Sequence, residues 1–159
     1  MKAMPTLEGG LRIDAEDASD WELLRSIVGD ASGCETDLAS RLGGIISEQA
    51  GAEDWQEFVV PDLREAFQDE LAQVGAAIES AAFHAAAGPG PIWITPEDAF
   101  PWYSSLNQAR LALEEHFHFG STEEIDAEQL VPARRAAFFR SRFYCVIQSL
   151  LLEYVMGVP

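Results

Sequence analysis

Lysine is all but missing from this 159-residue chain. Lys2 is the only one, and all bases together number 10 against 27 acids. The net charge of −17 repels nucleic-acid phosphates and anionic lipid surfaces over most of the protein. It leaves basic or zwitterionic partners open. The near-exclusive use of arginine fits either a GC-rich coding bias or adaptation to high salt. Cysteine is equally sparse: Cys34 and Cys145 fit neither a metal-ligand spacing nor a disulfide framework. Cys145 lies in an apolar run and is expected as a buried thiol. No stretch approaches the ~20 apolar residues of a membrane span. The most apolar run, Phe143 to Met156, is broken by Gln148, Ser149 and Glu153. "MKAMPTLEGG" lacks the apolar core of a signal peptide, so a cytoplasmic location is expected. There is also no Gly-rich phosphate loop and no nucleophile elbow. Paired carboxylates are frequent, but 27 acids make them so by chance. Neither a catalytic residue nor a cofactor is expected.

What is present is the composition of a globular protein, 48 % hydrophobic and 23 % charged, at a length suited to one domain over residues 1–159. Leu11–Ile13 and "PIWIT" read as two short strands that pair, since a lone strand leaves its backbone groups unsatisfied. Asp14, with Asp17 three residues on, is expected to cap a helix carrying Ala18, Trp21, Leu24 and Val28 on one face, with Gly29 or Gly33 as its stop. A second helix starts near Thr36, with Leu38, Leu42, Ile45 and Gln49 on one side; Gly43 and Gly44 weaken it or permit close packing. "AEDWQEFVV" is a short amphipathic piece ending at Pro61. Leu63, Phe67, Leu71, Val74 and Ile78 then mark a long helix, whose first turn Pro61 suits. Its small-residue second half suggests a central position, and "GPGP" ends it. Thr95-Pro96-Glu97-Asp98 opens a helix with the stripe Trp102, Leu106, Ala109, Leu113 and Phe117, bent or restarted at Pro101. An acidic connector with one turn of helix leads to a last helix, about Pro132 to Met156. The fold class is mainly α: about five helices in a bundle, with a minor two-stranded ribbon.

His84, His116 and His118 all lie near helix C-termini, where free carbonyls favour imidazole donors. On a helix, His116 and His118 point about 200° apart and cannot share one metal. Glu115 and His118 have the Glu-x-x-His spacing of di-iron bundles, but no second copy exists, because no glutamate lies three residues before His84. No metal site is therefore assigned. Tyr103, Asn107, Arg110, Glu114 and His118 share one helical face. That line is either a satisfied polar seam or a recognition site in which Arg110 takes a carboxylate or phosphate. Glu114 and His118 are spaced for an i,i+4 pair. Arg134, Arg135, Arg140 and Arg142 follow one another without an intervening acid. Intramolecular ion pairs are the first expectation for them, and an acidic partner the second.

"TPEDAFPWYSSLNQARLALEEHF" resembles an uncharacterised bacterial domain family, typical of actinobacteria and often encoded beside the adaptor of the Clp protease. The matching pattern is Thr95, Pro96, Glu97, Trp102, Leu106, Asn107, Arg110 and Leu111. "FYCVIQSLLLEYV" is similar to its closing helix, with Gln148 in place. The chain departs from the pattern in its long acidic connector and at Val59-Val60. The resemblance implies a compact helical domain and singles out Asn107, Arg110 and Gln148 as a polar cluster. The function expected overall is a non-enzymatic protein-interaction or regulatory module, with a protein partner or a second copy packed on the C-terminal helix. The alternatives are a bundle binding a small anion near Arg110, or a metal-dependent site at Glu115 and His118.

Overall fold

A computed structural model describes residues 1–33, 38–46, 52–120 and 125–157. The protein is mainly helical. Three strands come first to view: β1 (Lys2–Pro5), β2 (Leu11–Ala15) and β3 (Gly90–Ile94), in antiparallel order β1-β2-β3. The expected pair is β2 and β3, with Leu11 opposite Ile94 and Ile13 opposite Ile92. Its alternation sends Leu11, Ile13, Ala15, Ile92 and Ile94 inward. β1 adds a strand that periodicity did not signal: on this outer edge only Ala3 is even half-buried against the core. Gly10, just before β2, lets the chain lie close against β3, because a Cβ there would meet the Ile94 carbonyl oxygen at 2.5 Å.

Helix α1 (Ala18–Ser32) is capped by Asp17, which accepts from the amides of Ser19 and Asp20. Asp14, expected as the cap, instead sits in β2 and takes Arg12 Nε at 2.7 Å. The strand outruns its predicted end by two residues, which carries the cap along the chain. Trp21, Leu24 and Ile27 are buried, and Val28 is only half so. Helix α2 (Leu38–Ile46) buries Ala39 between half-buried Leu38 and Leu42. Thr36 and Gln49, and the side chain of Ile45, lie outside the described residues, as does Cys34. Gly43 permits close packing: a Cβ there would come within 2.7 Å of Val60 Cγ2.

The piece expected to stop at Pro61 runs straight on. A three-residue turn α3 (Ala52–Asp54) leads through a π-helical stretch, Trp55–Val59, into α4 (Val60–His84). Pro61 stands in the first turn of α4, where its missing N–H matters least. The widened turn immediately before it closes through Val60 N–H to the Trp55 carbonyl. α4 ends at His84, and two left-handed alanines, Ala86 (φ 49) and Ala87 (φ 55), turn the chain before Gly88 is reached. The stop therefore precedes the Gly-Pro run.

Helix α5 (Ala99–Phe117), not α4, occupies the centre, packing on α1, α4 and α6 (Pro132–Tyr154). Trp102, Leu106, Ala109 and Leu113 are buried as the stripe predicts, and so are Ser105, Gln108 and Ala112, which admit a second neighbour; Phe117 is half-buried. On α4 most of the small residues face solvent or are half-buried. Thr95 to Asp98 form a turn, with Thr95 Oγ1 accepting the Asp98 amide, so the helix begins three residues later than expected. Pro101 is its third residue, within the first turn whose N–H groups are orphans anyway, and no bend results. A 3₁₀ turn at Ala127–Gln129, capped by Asp126, supplies the connector's helical turn; residues 121–124 lie outside the description.

Candidate functional site

The polar line on α5 divides in two. Tyr103, Asn107 and Arg110 are half-buried, whereas Glu114 and His118 are exposed. Gln148 enters from α6 and is 3 % exposed. Its Oε1 accepts from Arg110 Nη1 at 2.6 Å, and its Nε2 donates to the Tyr103 carbonyl at 3.1 Å. A single amide thus satisfies both helices at once, which suits a buried group. Arg110 Nε is enclosed with no hydrogen-bond partner among the described residues.

The outer half caps α5. His118 adopts left-handed geometry (φ 50, ψ 57) and returns its N–H to the Glu114 carbonyl. The Glu114 carboxylate takes the Gly120 amide at 3.0 Å, in place of the expected imidazole. Leaving the helix at His118 removes the i,i+4 geometry that such a pair needs. His84 closes α4 through its ring instead, Nδ1 donating to the Ser80 carbonyl at 2.6 Å. Glu115 pairs with Arg41 at 3.0 Å. Among the described residues, no group of three His, Cys, Asp or Glu converges.

The arginine run resolves into distinct roles. Arg140 forks onto Asp30 of α1, Nε to Oδ2 at 2.7 Å and Nη2 to Oδ1 at 2.9 Å. Tyr144, one turn on, donates to Asp30 Oδ2 at 2.7 Å and meets Ser26 Oγ at 2.7 Å. An intramolecular ion pair was the first expectation for Arg140, but its partner in this lock between α1 and α6, Asp30, and the part played by Tyr144 were not foreseen. Arg140 and Tyr144 are spaced for one face, but Asp30 lies 110 positions from Arg140. Hydrogen bonding to Asp30 raises the guanidinium's pKa, against the opposing effect of burial. Burial, together with the bond to Asp30, pushes the Tyr144 phenol well above its ordinary value.

The folded state therefore holds the Tyr144 proton more tightly than the unfolded chain does. Its contribution is full below about pH 10, where an unfolded tyrosine ionises, and is lost as pH rises beyond that. The loss should approach 1.4 kcal/mol per pH unit. Urea midpoints compared at about pH 8 and about pH 11 should fall further in the wild type than in Tyr144→Phe. Parallel falls would remove Tyr144 from this role.

Arg134 Nη2 donates to the His118 carbonyl at 3.1 Å, and its guanidinium lies over the Phe119 ring. Arg135 and Arg142 differ: both are exposed, and neither has a side-chain hydrogen bond or ion pair among the described residues. Arg135, Phe139, Arg142 and Val146 step by four, three and four along the outer face of α6. Phe139 is 57 % exposed and Val146 54 %. Phe143 and Leu150 turn partly toward the core, and Tyr154 is exposed at the helix end. Cys145 is free and half-buried, not enclosed as its apolar neighbours suggested, because it lies between the inner and outer faces.

These elements define a mainly α-helical domain carrying a small three-stranded antiparallel sheet, with no helix long and apolar enough to cross a membrane among the described residues. A family model described as a domain of unknown function, DUF2017, matches residues 39–155, and the chain belongs to that family. The match takes in Asn107, Arg110, Gln148 and all of α6; β1, β2 and α1 precede it. Neither the curated proteins nor the solved structures provide a match.

Proposed function

We propose that this chain is a cytoplasmic, non-enzymatic interaction module, and that its partner is a protein presenting an acidic segment with apolar side chains to the outer face of α6. One observation carries the reading. In a chain of net charge −17, Arg135 and Arg142 have no acid partner among the described residues; they flank exposed Phe139, and exposed Val146 follows one turn on. Arginine beside an aromatic anchor is the composition of binding hot spots. Charge complementarity selects the occupant. A two-fold pairing of α6 with a second copy would bring the basic stripe against itself, where like charges repel. Two arginines also supply little counterion release against so acidic a body, which disfavours nucleic acid. The resemblance to a family encoded beside a protease adaptor supports regulation or proteolysis as the setting.

Placing a photo-cross-linking residue at Val146 in cells tests this. Adducts to a protein with an acidic segment are expected, and they should disappear in Arg135→Glu/Arg142→Glu. Adducts at multiples of this chain's own mass would replace the proposed partner with a second copy. Adducts that survive the charge reversal, or none at all, would refute the reading.

A further inference from the structure

A cleft of about 230 Å³ opens between α1, α2, α4 and α5, away from the Gln148 cluster and the outer face of α6. We propose that it binds a small amphipathic carboxylate, an aryl or branched-alkyl acid of about the size of benzoate.

The walls are apolar. Phe67 and Leu71 of α4 continue the stripe that buries Val74 and Ile78, yet both stay half-buried because they border this space, as does Leu38 of α2. A dry apolar cavity of about 150 Å³ accommodates benzene, so this cleft has room for one ring and a head group. Polar groups from three helices meet the same space: Arg41 from α2, Arg64 from α4 and Gln108 from α5. Gln108 is 7 % exposed, and its amide reaches the Phe67 carbonyl only at 3.4 Å. Arg64 Nη2 is held at 2.8 Å by Ser40 Oγ, which orients the guanidinium. Arg41 bonds Glu115 through Nη1, and its other donors have no partner among the described residues.

A greasy slot with a few converging polar groups is the usual form of a small-molecule site. Guanidinium forks select a planar carboxylate, because two parallel N–H groups match its two oxygens. The apolar walls exclude a bare inorganic anion, and the cations exclude a neutral hydrocarbon. The volume suits a ring with its acid. This site is separate from Arg110, whose Nε is enclosed away from solvent.

The test is an NMR titration of the full chain, following the Gln108 side-chain amide. The probes are benzoate, phenylacetate and 4-methylpentanoate, each to about 10 mM, a range that reveals millimolar affinities. Benzyl alcohol and inorganic phosphate serve as the neutral and bare-anion counterparts. At least one carboxylate should give a saturable shift that neither counterpart reproduces. Arg41→Met should weaken it about tenfold or more, with Arg41→Lys in between, since lysine keeps the charge and loses the fork. A spectrum otherwise unchanged in Arg41→Lys establishes that the fold survives substitution at this position. The proposal fails if no carboxylate shifts the resonance, if benzyl alcohol or phosphate shifts it equally, or if Arg41→Met titrates like the wild type.

Discussion

Replacing Asp30 with alanine is expected to lower the unfolding free energy by about 2–3 kcal/mol. The carboxylate is the shared acceptor for Arg140 and Tyr144, and Tyr144 is completely buried. Its removal strands the guanidinium and leaves the phenol hydroxyl with Ser26 alone. A fully buried pair broken in this way costs about 3–5 kcal/mol. The Asp30 side chain is 13 % exposed and that of Arg140 28 %, so water reaches the site and the figure is reduced accordingly. The melting temperature should fall by roughly 4–12 °C for a chain of this size. A second substitution sharpens the result. Asp30→Ala/Arg140→Met removes the stranded cation and should recover part of the loss, because a missing partner hurts more than a missing pair. A single variant that melts within a degree or so of the wild type would show that the lock contributes nothing net.

Trp21→Ala is expected to be more damaging, at about 3–5 kcal/mol. Trp21 is completely buried, and its indole Nε1 donates to the Gly88 carbonyl at 2.8 Å, tying α1 to the link between α4 and β3. Truncation opens a cavity and orphans that carbonyl together. A natural domain holds only about 5–15 kcal/mol in all, so the variant should unfold at a far lower urea concentration. Trp21→Phe separates the two effects. It keeps one ring in the core and loses the indole N–H with part of the ring volume, which together should cost about 1–3 kcal/mol. If Trp21→Ala proved no worse than Trp21→Phe, the hydrogen bond would outweigh the packing and the core assignment would be mistaken.

Much of the helical frame was legible in advance. The spacing of Trp21 and Leu24, of Val74 and Ile78, and of Trp102, Leu106, Ala109 and Leu113 marks faces that are buried in the structure. Pro132 and Gly157 bracket α6 to within two or three residues. Boundaries were read less well, because caps depend on where the preceding element stops. Asp17 replaces Asp14 as a cap only because β2 runs on to Ala15. β1 escaped notice since an edge strand needs no apolar alternation, only a neighbour's free backbone groups. Pro61 was read both as the end of the preceding piece and as a first-turn residue of the long helix; the second reading holds, and the first fails because a proline there is no obstacle to a helical path arriving from before it.

Pairwise chemistry was far less accessible. The Arg110–Gln148 contact spans 38 positions and was foreshadowed only by the resemblance of those residues to a family pattern. Arg41 and Arg64 drew no attention because each lies singly on its own helix. That Arg135 and Arg142 meet no acid among the described residues depends on where distant acids fall in space, which no spacing rule reveals.

Local order in the chain thus determined the helices and their inward faces, since turn-by-turn periodicity and punctuation by proline and glycine act over only a few residues. The packing of those helices decided which arginine met Asp30, which met Gln148, which lined a cleft and which stayed in water. The reason is that ion pairs, clefts and docking faces are contacts between distant segments, and their geometry exists only once helix crossing and register have brought those segments together.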